Sequence, residues 1–434
     1  MKSDVVSARD GGIGMNILVC GANGFIGRAL CARLEAGGHR VVRGVHAGRR
    51  AAGPGEIAID YARDVRPEHW RARLDGIDAV VNAVGMLTGR RGVTLDAVHR
   101  AAPCALFDAC CGAGVRQIVQ ISALGVERGD TAYFASKLAA DAYLQTLPID
   151  FRIVRPALVY GATGASARYF RMLASLPVHV LPAGGRQLLR PVHVDDLAEL
   201  VARLIERPAA GDRIVDVVGA DEVEYREMLA IYRRAMGFPP AMRVSVPGAL
   251  CAAAAALSGR MPGAMLTRDT WAMLRAGNTG ELAASSAALG RPPRGLRAFI
   301  GAQAVALRHE ALAAWRRPLL TGSLAIVWIW TAIASAFIHP LRDSLALLAH
   351  VHLTGISALA ALYAACAVDF VFGVATVVAP SRRLWAAQIV LIVAYSAVIA
   401  VAMPGLLAEP FGPVLKNVPI LAVLLILFAE EERS

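Results

Sequence analysis

The chain reads Asn-Ile-Leu-Val-Cys-Gly-Ala-Asn-Gly-Phe-Ile-Gly from residue 16 to residue 27, an apolar run followed at once by a glycine-rich turn. The stretch Gly21-Ala22-Asn23-Gly24-Phe25-Ile26-Gly27 has the spacing G-x-x-G-x-x-G, and Leu30 and Leu34 then repeat with a helical period. Glycines at these positions permit a tight turn and let the backbone approach a pyrophosphate at the helix N-terminus. The stretch therefore predicts a strand, a phosphate-binding turn and a helix.

Short runs rich in β-branched residues alternate with amphipathic helical stretches from Met15 to about Asp150. These runs cover residues 16–20, 40–45, 56–59, 79–84, 117–122 and 150–155. Such alternation is typical of an α/β fold with a doubly wound parallel sheet, the Rossmann arrangement. We therefore predict a dinucleotide-binding domain over residues 15–240. Proline and glycine clusters from about residue 156 onward indicate a small substrate subdomain within it.

The composition changes abruptly after residue 318. Residues 241–318 predict a helical C-terminal part and linker, and four apolar runs follow at 319–338, 357–379, 384–403 and 413–428. A helix needs about 20 mainly apolar residues to cross a bilayer. The runs predict an all-α transmembrane four-helix bundle over 319–434, with a short fourth span. The weaker apolar stretch 345–354 is expected to be interfacial or re-entrant.

The positive charge is confined to the part of the chain before the spans. Residues 1–318 carry 40 basic and 28 acidic side chains, whereas residues 319–434 carry 5 and 6. Lys and Arg form no block interleaved with aromatic residues, so we expect no nucleic-acid partner. Anionic lipid headgroups or cofactor phosphates account for the basic balance more economically.

Arginine pairs flank the spans unevenly. Arg316 and Arg317 precede the first span, and Arg382 and Arg383 lie between the second and the third. With four spans, both pairs lie on one side of the bilayer, and the positive-inside rule assigns that side to the cytoplasm. We therefore predict a multi-pass inner-membrane protein whose Rossmann domain and C-terminus are cytoplasmic.

The seven cysteines are scattered, odd in number and without metal-ligand spacing. Together with the lack of a secretory signal pattern at the start, this favours a reduced compartment and predicts no metal site. Residues 1–14 are polar and glycine-rich, and we expect a disordered N-terminal extension there.

Further motifs follow the glycine turn in a fixed order. They are Asp60, Asn82-Ala83-Val84-Gly85, Ser122, the Tyr-x-x-x-Lys pair Tyr133 and Lys137, and the strings 155–161 and 190–198. In this order they resemble the short-chain dehydrogenase/reductase superfamily, in its extended or atypical branch, from Met15 to about Phe299. The resemblance implies that the dinucleotide contacts Gly21, Asn23, Gly24, Phe25, Ile26, Gly27, Asp60, Ala83, Val84, Gly85, Lys137 and Pro156.

The Tyr-x-x-x-Lys pair carries the chemistry that this resemblance implies. Tyr133 and Lys137 are four residues apart and share one face of a helix. A nearby ammonium favours the phenolate and should lower the tyrosine pKa, which makes Tyr133 a candidate proton donor or acceptor during hydride transfer. Lys137 would also hold the nicotinamide ribose, and Ser122 would polarise the substrate carbonyl.

The spacing of these residues leaves catalysis open. Only ten residues separate Ser122 from Tyr133, fewer than in classical members of the superfamily. With the string Ile-Ser-Ala-Leu-Gly and residues 266–278, this spacing resembles the atypical group that includes the nucleotide-binding accessory subunit of respiratory complex I. Members of that group can keep the dinucleotide while losing catalysis.

Cofactor choice depends on the end of the second predicted strand. An acidic residue there would bind the adenine ribose and select NAD. The chain instead has Arg43, Arg49 and Arg50, with no acid before Glu56. Because Arg suits a 2′-phosphate, NADP is preferred over NAD.

The four spans resemble the DoxX-like membrane family, in the version that is fused behind a short-chain dehydrogenase-like domain. The matching features are the four-span layout and the string 412–421, Gly-Pro-Val-Leu-Lys-Asn-Val-Pro-Ile-Leu. Some members of that family are associated with quinone-linked redox steps. Asp369 interrupts the second span, where an acid is either functional or directed at a polar partner such as Arg382 or a histidine.

Two conspicuous features have structural interpretations. His193 is expected to be structural rather than catalytic, and Asp195 and Asp196 could cap a helix beginning at Leu197.

The leading functional hypothesis is a membrane-anchored NAD(P)H-dependent oxidoreductase that acts on a carbonyl or a lipophilic acceptor such as a quinone. The first alternative is a non-catalytic NADP(H)-binding accessory, assembly or sensor protein of a membrane redox complex. The second is a sugar-nucleotide epimerase or dehydratase. The expected partners are the lipid bilayer and a small-molecule substrate.

Overall fold

The computed structural model describes residues 14–46, 48, 53–89, 92–207, 212–259, 264–407 and 414–431. Two compact units divide the chain between Ala311 and Leu312. Except for Gly14, the expected N-terminal extension lies outside the described residues.

A parallel sheet organises the first unit. The strands of its described part are β1 Asn16–Cys20, β2 Arg40–His46, β3 Glu56–Ile59, β4 Ala79–Asn82, β5 Gln117–Ile121, β6 Asp150–Pro156, β7 Val159–Tyr160, β8 Val178–Pro182, β9 Leu188–Leu189, β10 Val192–His193, β11 Ile214–Val217, β12 Val223–Glu224 and β13 Met242–Val246. Seven strands form one sheet in the order β11-β6-β5-β4-β1-β2-β3, and all neighbours are parallel. The predicted doubly wound sheet is confirmed. Its order reverses between β1 and β4, the switch point where such sheets bind ligands.

Helices cover both faces of this sheet. They are α1 Phe25–Ala36, α2 Glu68–Arg71, α3 Ala102–Ala113, α4 Ala132–Leu144, α5 Ala165–Ser175, α6 Val194–Glu206, α7 Tyr225–Ala235, α8 Gly248–Ser258, α9 Arg268–Ala276 and α10 Leu282–Leu289. Strands β4 and β5 are buried over their whole length, as expected for a parallel sheet covered on both faces. Leu30 of α1 and Leu200 of α6 pack in one apolar cluster, and Leu106 of α3 and Leu144 of α4 pack in another.

A smaller layer follows β6. It contains the strand pairs β10-β7, β12-β9 and β13-β8 together with α5 and α7. Its core surrounds Tyr160, whose ring stacks on Phe299 at 4.8 Å between centroids and contacts Tyr232. These elements lie where the broken sequence pattern predicts a substrate subdomain.

The second unit is helical. Its helices are α11 Ala304–Ile333, which begins in the first unit, α12 Leu341–Ala349, α13 Gly355–Val378, α14 Arg382–Ala402 and α15 Asn417–Glu430. The segments Gly301–Ile338, Gly355–Val378 and Arg382–Ala402 are long and apolar enough to cross a membrane. Helix α12 occupies part of the weaker apolar stretch.

The fourth predicted span differs from the expectation. Helix α15 has 14 residues, which corresponds to about 21 Å of helix, whereas the hydrocarbon core of a bilayer is about 30 Å thick. The span at 413–428 was predicted from its apolar residues alone. In the structure Val414, Leu415 and Lys416 form a turn, and the helix begins at Asn417. Three described helices therefore have spanning length, and the fourth is an apolar helix of shorter reach.

Close packing and buried hydrogen bonds join these helices. A side-chain carbon added to Gly373 of α13 would lie 2.5 Å from Cγ1 of Ile329 on α11, so the two backbones approach closely. The Trp328 indole donates to Oε1 of Gln388 at 3.0 Å, and Nε2 of Gln388 donates to Oγ1 of Thr376 at 2.9 Å. Gln388 is fully buried and thereby links α11, α13 and α14.

Asp369 lies on α13 and is only 8% exposed. Within the described residues its Oδ1 atom has no hydrogen-bond partner.

The Gln388 network predicts a stability effect. We expect Gln388→Ala to lower the free energy of unfolding in detergent by about 1 to 2 kcal/mol, because Trp328 and Thr376 lose their buried partner. Val390→Ala, an exposed position on the same helix, is the matched control and should change stability little. Denaturant titration followed by tryptophan fluorescence measures both. Equal stability of the two variants would show that the network contributes nothing.

Candidate active site

The glycine turn connects β1 to α1 at the switch point. Gly21 has φ +81°, a conformation that favours glycine. A Cβ atom added to Gly27 would lie 2.0 Å from the Gly21 carbonyl oxygen, so only glycine fits at residue 27. Gly24 precedes the helix without supplying a side-chain cap. No side chain among the described residues caps the first amides of α1, so their N–H groups can meet the pyrophosphate that the motif predicts.

Residues near the turn support its shape. The Arg28 guanidinium donates to the Asn23 carbonyl oxygen at 2.7 Å. The Phe25 ring packs against Gly161 and Gly164, where an added Cβ would clash with it. Ile26 is half-buried against the core.

The segment after β4 runs beside this turn. A Cβ on Gly21 would meet Val84 and Ala83 at 3.1 and 3.2 Å, and a Cβ on Gly85 would lie 3.8 Å from the Lys137 ammonium nitrogen. The structure thus brings the predicted residues of the turn, of this segment and of α4 together at the carboxyl edge of the sheet.

Lys137 is buried and 4% exposed. Its Nζ atom donates to the Ile121 carbonyl oxygen at 3.0 Å and lies 5.8 Å from the centre of the Tyr133 ring. Burial lowers the pKa of Lys137 to about 8, and the Asp141 carboxylate opposes that shift. The ammonium therefore titrates near neutral pH.

Asp141 is a further candidate site residue, which the motifs did not reveal. It lies one helical turn beyond Lys137 and is fully buried, and its carboxylate accepts a hydrogen bond from the Ser122 hydroxyl. Burial raises the pKa of Asp141 to about 6, although Ser122, Lys137 and Arg155 each oppose the rise. The sequence signal was available, since residues 133, 137 and 141 repeat at a four-residue interval on one helix face.

The Ser122–Asp141 hydrogen bond bears on the role expected of Ser122. A serine hydroxyl has one proton to donate, and here the Asp141 carboxylate accepts it. Ser122 could polarise a substrate carbonyl only when that proton is released from Asp141.

Tyr133 is half-buried, and its ring meets His99 edge-on at 5.3 Å between centroids. Burial, with a smaller effect of Asp141, raises the pKa of Tyr133 above its ordinary value. The expectation that Lys137 lowers this pKa is therefore wrong in this structure, because desolvation of the phenolate dominates. The Tyr133 hydroxyl forms no hydrogen bond within the described part of the chain.

His99 is a second residue without a sequence signal. Its Nε2 atom accepts from the Met86 amide at 3.1 Å, so Nδ1 carries the proton and donates to Oγ of Ser136 at 3.0 Å. Ser136 donates in turn to the Tyr133 carbonyl oxygen. Burial and Lys137 lower the pKa of His99 to about 3, so the ring stays neutral and positions Tyr133.

The predicted adenine side is only partly described. Asp60 follows β3, and its Oδ1 atom accepts from the Ala62 amide at 3.0 Å. Arg43 lies in the middle of β2 and its guanidinium pairs with Glu35 at 2.7 Å. A 2′-phosphate role for Arg43 would require this pair to open and stays a prediction, while Arg49 lies outside the described residues.

The remaining landmarks make structural contacts, and the dinucleotide contact expected of Pro156 stays a prediction. Pro156 ends β6, and its carbonyl oxygen accepts from the Leu124 amide. Helix α6 begins at Val194 rather than at Leu197, and the His193 ring, not Asp195 or Asp196, caps it by accepting from the Asp195 amide. Buried Asp196 instead accepts from the Arg291 side chain and the Arg294 amide.

Comparison with known proteins matches both units separately. Residues 17–218 match the NAD dependent epimerase/dehydratase family, and residues 325–425 match the DoxX-like family. An epimerase family protein of Mycobacterium tuberculosis is 27% identical over 261 residues, which cover 53% of this chain and 82% of that protein.

Solved structures show the same fold as the first unit. A nucleoside-diphosphate-sugar epimerase from Staphylococcus aureus is 20% identical, with a TM-score of 0.53 over 66% of this chain and 99% of that chain. MoeE5 in complex with UDP-glucose and NAD is 20% identical, with a TM-score of 0.50 over 68% of this chain and 99% of that chain. The chain therefore carries an epimerase/dehydratase domain, similar to the short-chain dehydrogenases, followed by a DoxX-like domain.

Proposed function

We propose that the protein is a membrane-anchored NAD(P)H-dependent oxidoreductase. The observation that carries the proposal is the meeting of Lys137, Tyr133 and Ser122 beside the Gly21–Gly27 turn, at the switch point of the sheet. The cofactor, when bound, would supply or accept hydride. The DoxX-like domain and its apolar helices make the bilayer the natural source of a lipophilic substrate.

The side chains have separable roles in this proposal. The amides of residues 25–27 would hold the pyrophosphate, and Gly85 would leave room beside Lys137. The Lys137 ammonium would hold the nicotinamide ribose hydroxyls. Tyr133 would hold or give up a proton at its hydroxyl oxygen, with His99 and Ser136 fixing its position.

Asp141 would govern whether Ser122 can donate. Above the Asp141 pKa of about 6 the ionised carboxylate accepts the hydrogen bond of the Ser122 hydroxyl, so that hydroxyl cannot donate to a substrate. When Asp141 is protonated, it can donate to Ser122, and the serine proton becomes free for a substrate carbonyl.

The acceptor class and the cofactor preference are parts of this proposal. A carbonyl lipid or a quinone fits a site on a chain with membrane helices. NADP is favoured over NAD because β2 ends at His46 and the following residues include basic but no acidic side chains before Glu56.

The orientation of the second unit supports a cytoplasmic active site. The Arg317 guanidinium pairs with Glu431 at 2.7 Å, and the Trp385 indole donates to the same carboxylate at 3.0 Å. The start of the first span, the start of α14 and the end of α15 therefore share one end of the bundle. Arg382 and Arg383 begin α14, so this end carries the positive charge that marks a cytoplasmic face.

A sugar-nucleotide epimerase or dehydratase is the second candidate, favoured by the names of the relatives and of the solved structures. Such an enzyme recycles its dinucleotide, whereas the proposed oxidoreductase consumes it. Incubation of the purified protein with UDP-sugars, followed by product chromatography, separates the two. Conversion of a UDP-sugar without net cofactor oxidation would favour the epimerase.

The accessory role is the third candidate. The ten-residue spacing between Ser122 and Tyr133 and the raised Tyr133 pKa both favour it. In that case the cofactor would stabilise the fold without turnover.

Tyr133 provides a first test of catalysis. With NADPH and a short-chain quinone or a carbonyl lipid, we expect Tyr133→Phe to lower kcat by roughly 100-fold or more, because the proton donor is lost. Tyr143→Phe, on the same helix with its hydroxyl bonded to Asp108, should retain activity. Stopped-flow absorbance at the nicotinamide band measures the rates. Wild-type turnover no higher than that of Lys137→Ala would sink the oxidoreductase proposal.

Asp141 provides a test through pH. Because its carboxylate raises the pKa of Lys137, Asp141→Asn should move the alkaline limb of kcat/KM, expected near pH 8, to lower pH. At pH values below the limbs of both proteins, Lys137 is charged in each of them. Asp108→Asn is the control and should leave the limb in place. If the alkaline limb of Asp141→Asn lies at the same pH as that of the wild type, the ionisation of Lys137 does not cause it.

Gly27 tests the dinucleotide site. We expect NADPH to raise the Tm of the wild type more than NADH does, and neither to raise that of Gly27→Ala, whose Cβ would collide with the Gly21 carbonyl. Gly112→Ala, with no atom near the added carbon, controls for the substitution and should respond like the wild type. Equal shifts with both nucleotides would refute the NADP preference, and a normal shift in Gly27→Ala would refute the assigned pyrophosphate site.

A further inference from the structure

Helix α8 has a composition that does not suit its exposure to water. Its sequence, Gly-Ala-Leu-Cys-Ala-Ala-Ala-Ala-Ala-Leu-Ser, contains no charged side chain. One face packs inward, where Cys251 and Ala255 contact Trp271. The other face exposes Leu250 by 61% and Leu257 by 67%. A helix that is apolar all round normally lies in a core or against a membrane.

The strand before α8 is also apolar and exposed. Met242 and Val244 of β13 are 63% and 41% exposed, and Val180, the partner of Val244 on β8, is 57% exposed. Pro247 joins β13 directly to α8. We call residues 242–258 the apolar ledge.

The segment of sequence that contains the apolar ledge carries mostly positive charge. Arg243 lies within it, and Arg268 and Arg275 of α9 follow it; all three are exposed. The one acidic residue between positions 236 and 276 is Asp269. An apolar surface flanked by arginines matches the interface of an anionic bilayer, where apolar side chains enter the acyl boundary and cations meet phosphates.

We propose that the apolar ledge inserts into the surface of the lipid bilayer as a second membrane contact of this chain, separate from the spanning helices. The same chain carries helices that are long and apolar enough to cross a membrane, the first of them within residues 301–338, so a bilayer is a partner that this chain already meets. A second protein copy would need a complementary surface, and Arg243, Arg268 and Arg275 in and after the ledge would repel the same arginines of an identical copy. The inference rests on membrane attachment and does not depend on the proposed enzymatic activity.

Fluorescence quenching tests the proposal on the full chain in nanodiscs. The background is Cys111→Ser, which removes the exposed native thiol. An environment-sensitive dye is attached to Leu250→Cys or Leu257→Cys, and the discs contain phosphatidylcholine with spin-labelled lipid, with or without phosphatidylglycerol. Val65→Cys, an exposed site beyond the edge strand β3, is the matched control.

We expect at least about twofold stronger quenching at positions 250 and 257 than at 65, because the ledge would lie at the acyl boundary. Phosphatidylglycerol should increase the quenching, and Arg268→Glu with Arg275→Glu should abolish that increase. Equal quenching at all three positions would overturn the proposal. A second outcome would also overturn it. If the dye stays buried in detergent and residue 250 cross-links two copies of the chain, a second copy covers the ledge instead of lipid.

Discussion

The first unit depends on the close approach of residue 27 to the carbonyl oxygen of Gly21. A side-chain carbon at Gly27 would lie 2.0 Å from that oxygen, so the chain can turn from β1 into α1 at this point only without one. The turn sets where α1 begins and directs its unpaired amides toward the switch point between β1 and β4. The segment after β4 packs against the same turn, and Lys137 lies beside that segment. A single backbone constraint thus locates the phosphate site and the chemical site together.

Around Lys137 the fold buries opposite charges instead of excluding them. Desolvation lowers the lysine pKa and raises that of Asp141, so both groups titrate close to neutral pH. Burying two charges costs stability that their mutual attraction repays only in part. Such an arrangement is characteristic of sites where protonation states must change during function. Desolvation also raises the Tyr133 pKa, so this tyrosine keeps its proton and suits the role of proton donor better than that of a phenolate base.

The sequence predicted the fold well because the periodicity of buried strands and the glycine spacing are local properties. The four-residue spacing of Tyr133 and Lys137 is local in the same way and places both on α4, whereas their part in catalysis stays a prediction. His99 escaped prediction because its role arises from contacts with Met86 and Ser136 that only the tertiary structure creates. The pairing of Arg43 with Glu35 was also invisible, since charge counting treats every arginine as free. Helix α15 is shorter than its apolar run because a turn occupies the start of that run. Hydropathy does not distinguish a turn from a helix, so the sequence did not predict this.

In the second unit the apolar composition predicts membrane helices but cannot say how they pair. Lipid tails are as apolar as leucine, so burial of apolar surface alone gives the helices little reason to associate. Specific pairing must come from close backbone contact and polar bonds. The structure supplies the first at Gly373, where a side chain would strike Ile329, and the second through Gln388. At the arginine-rich end, Glu431 accepts from both Arg317 and Trp385 and holds the last helix against the first and the third. A close backbone contact and a few polar side chains therefore specify how these helices pair, whereas their overall apolar composition specifies only that they suit a membrane.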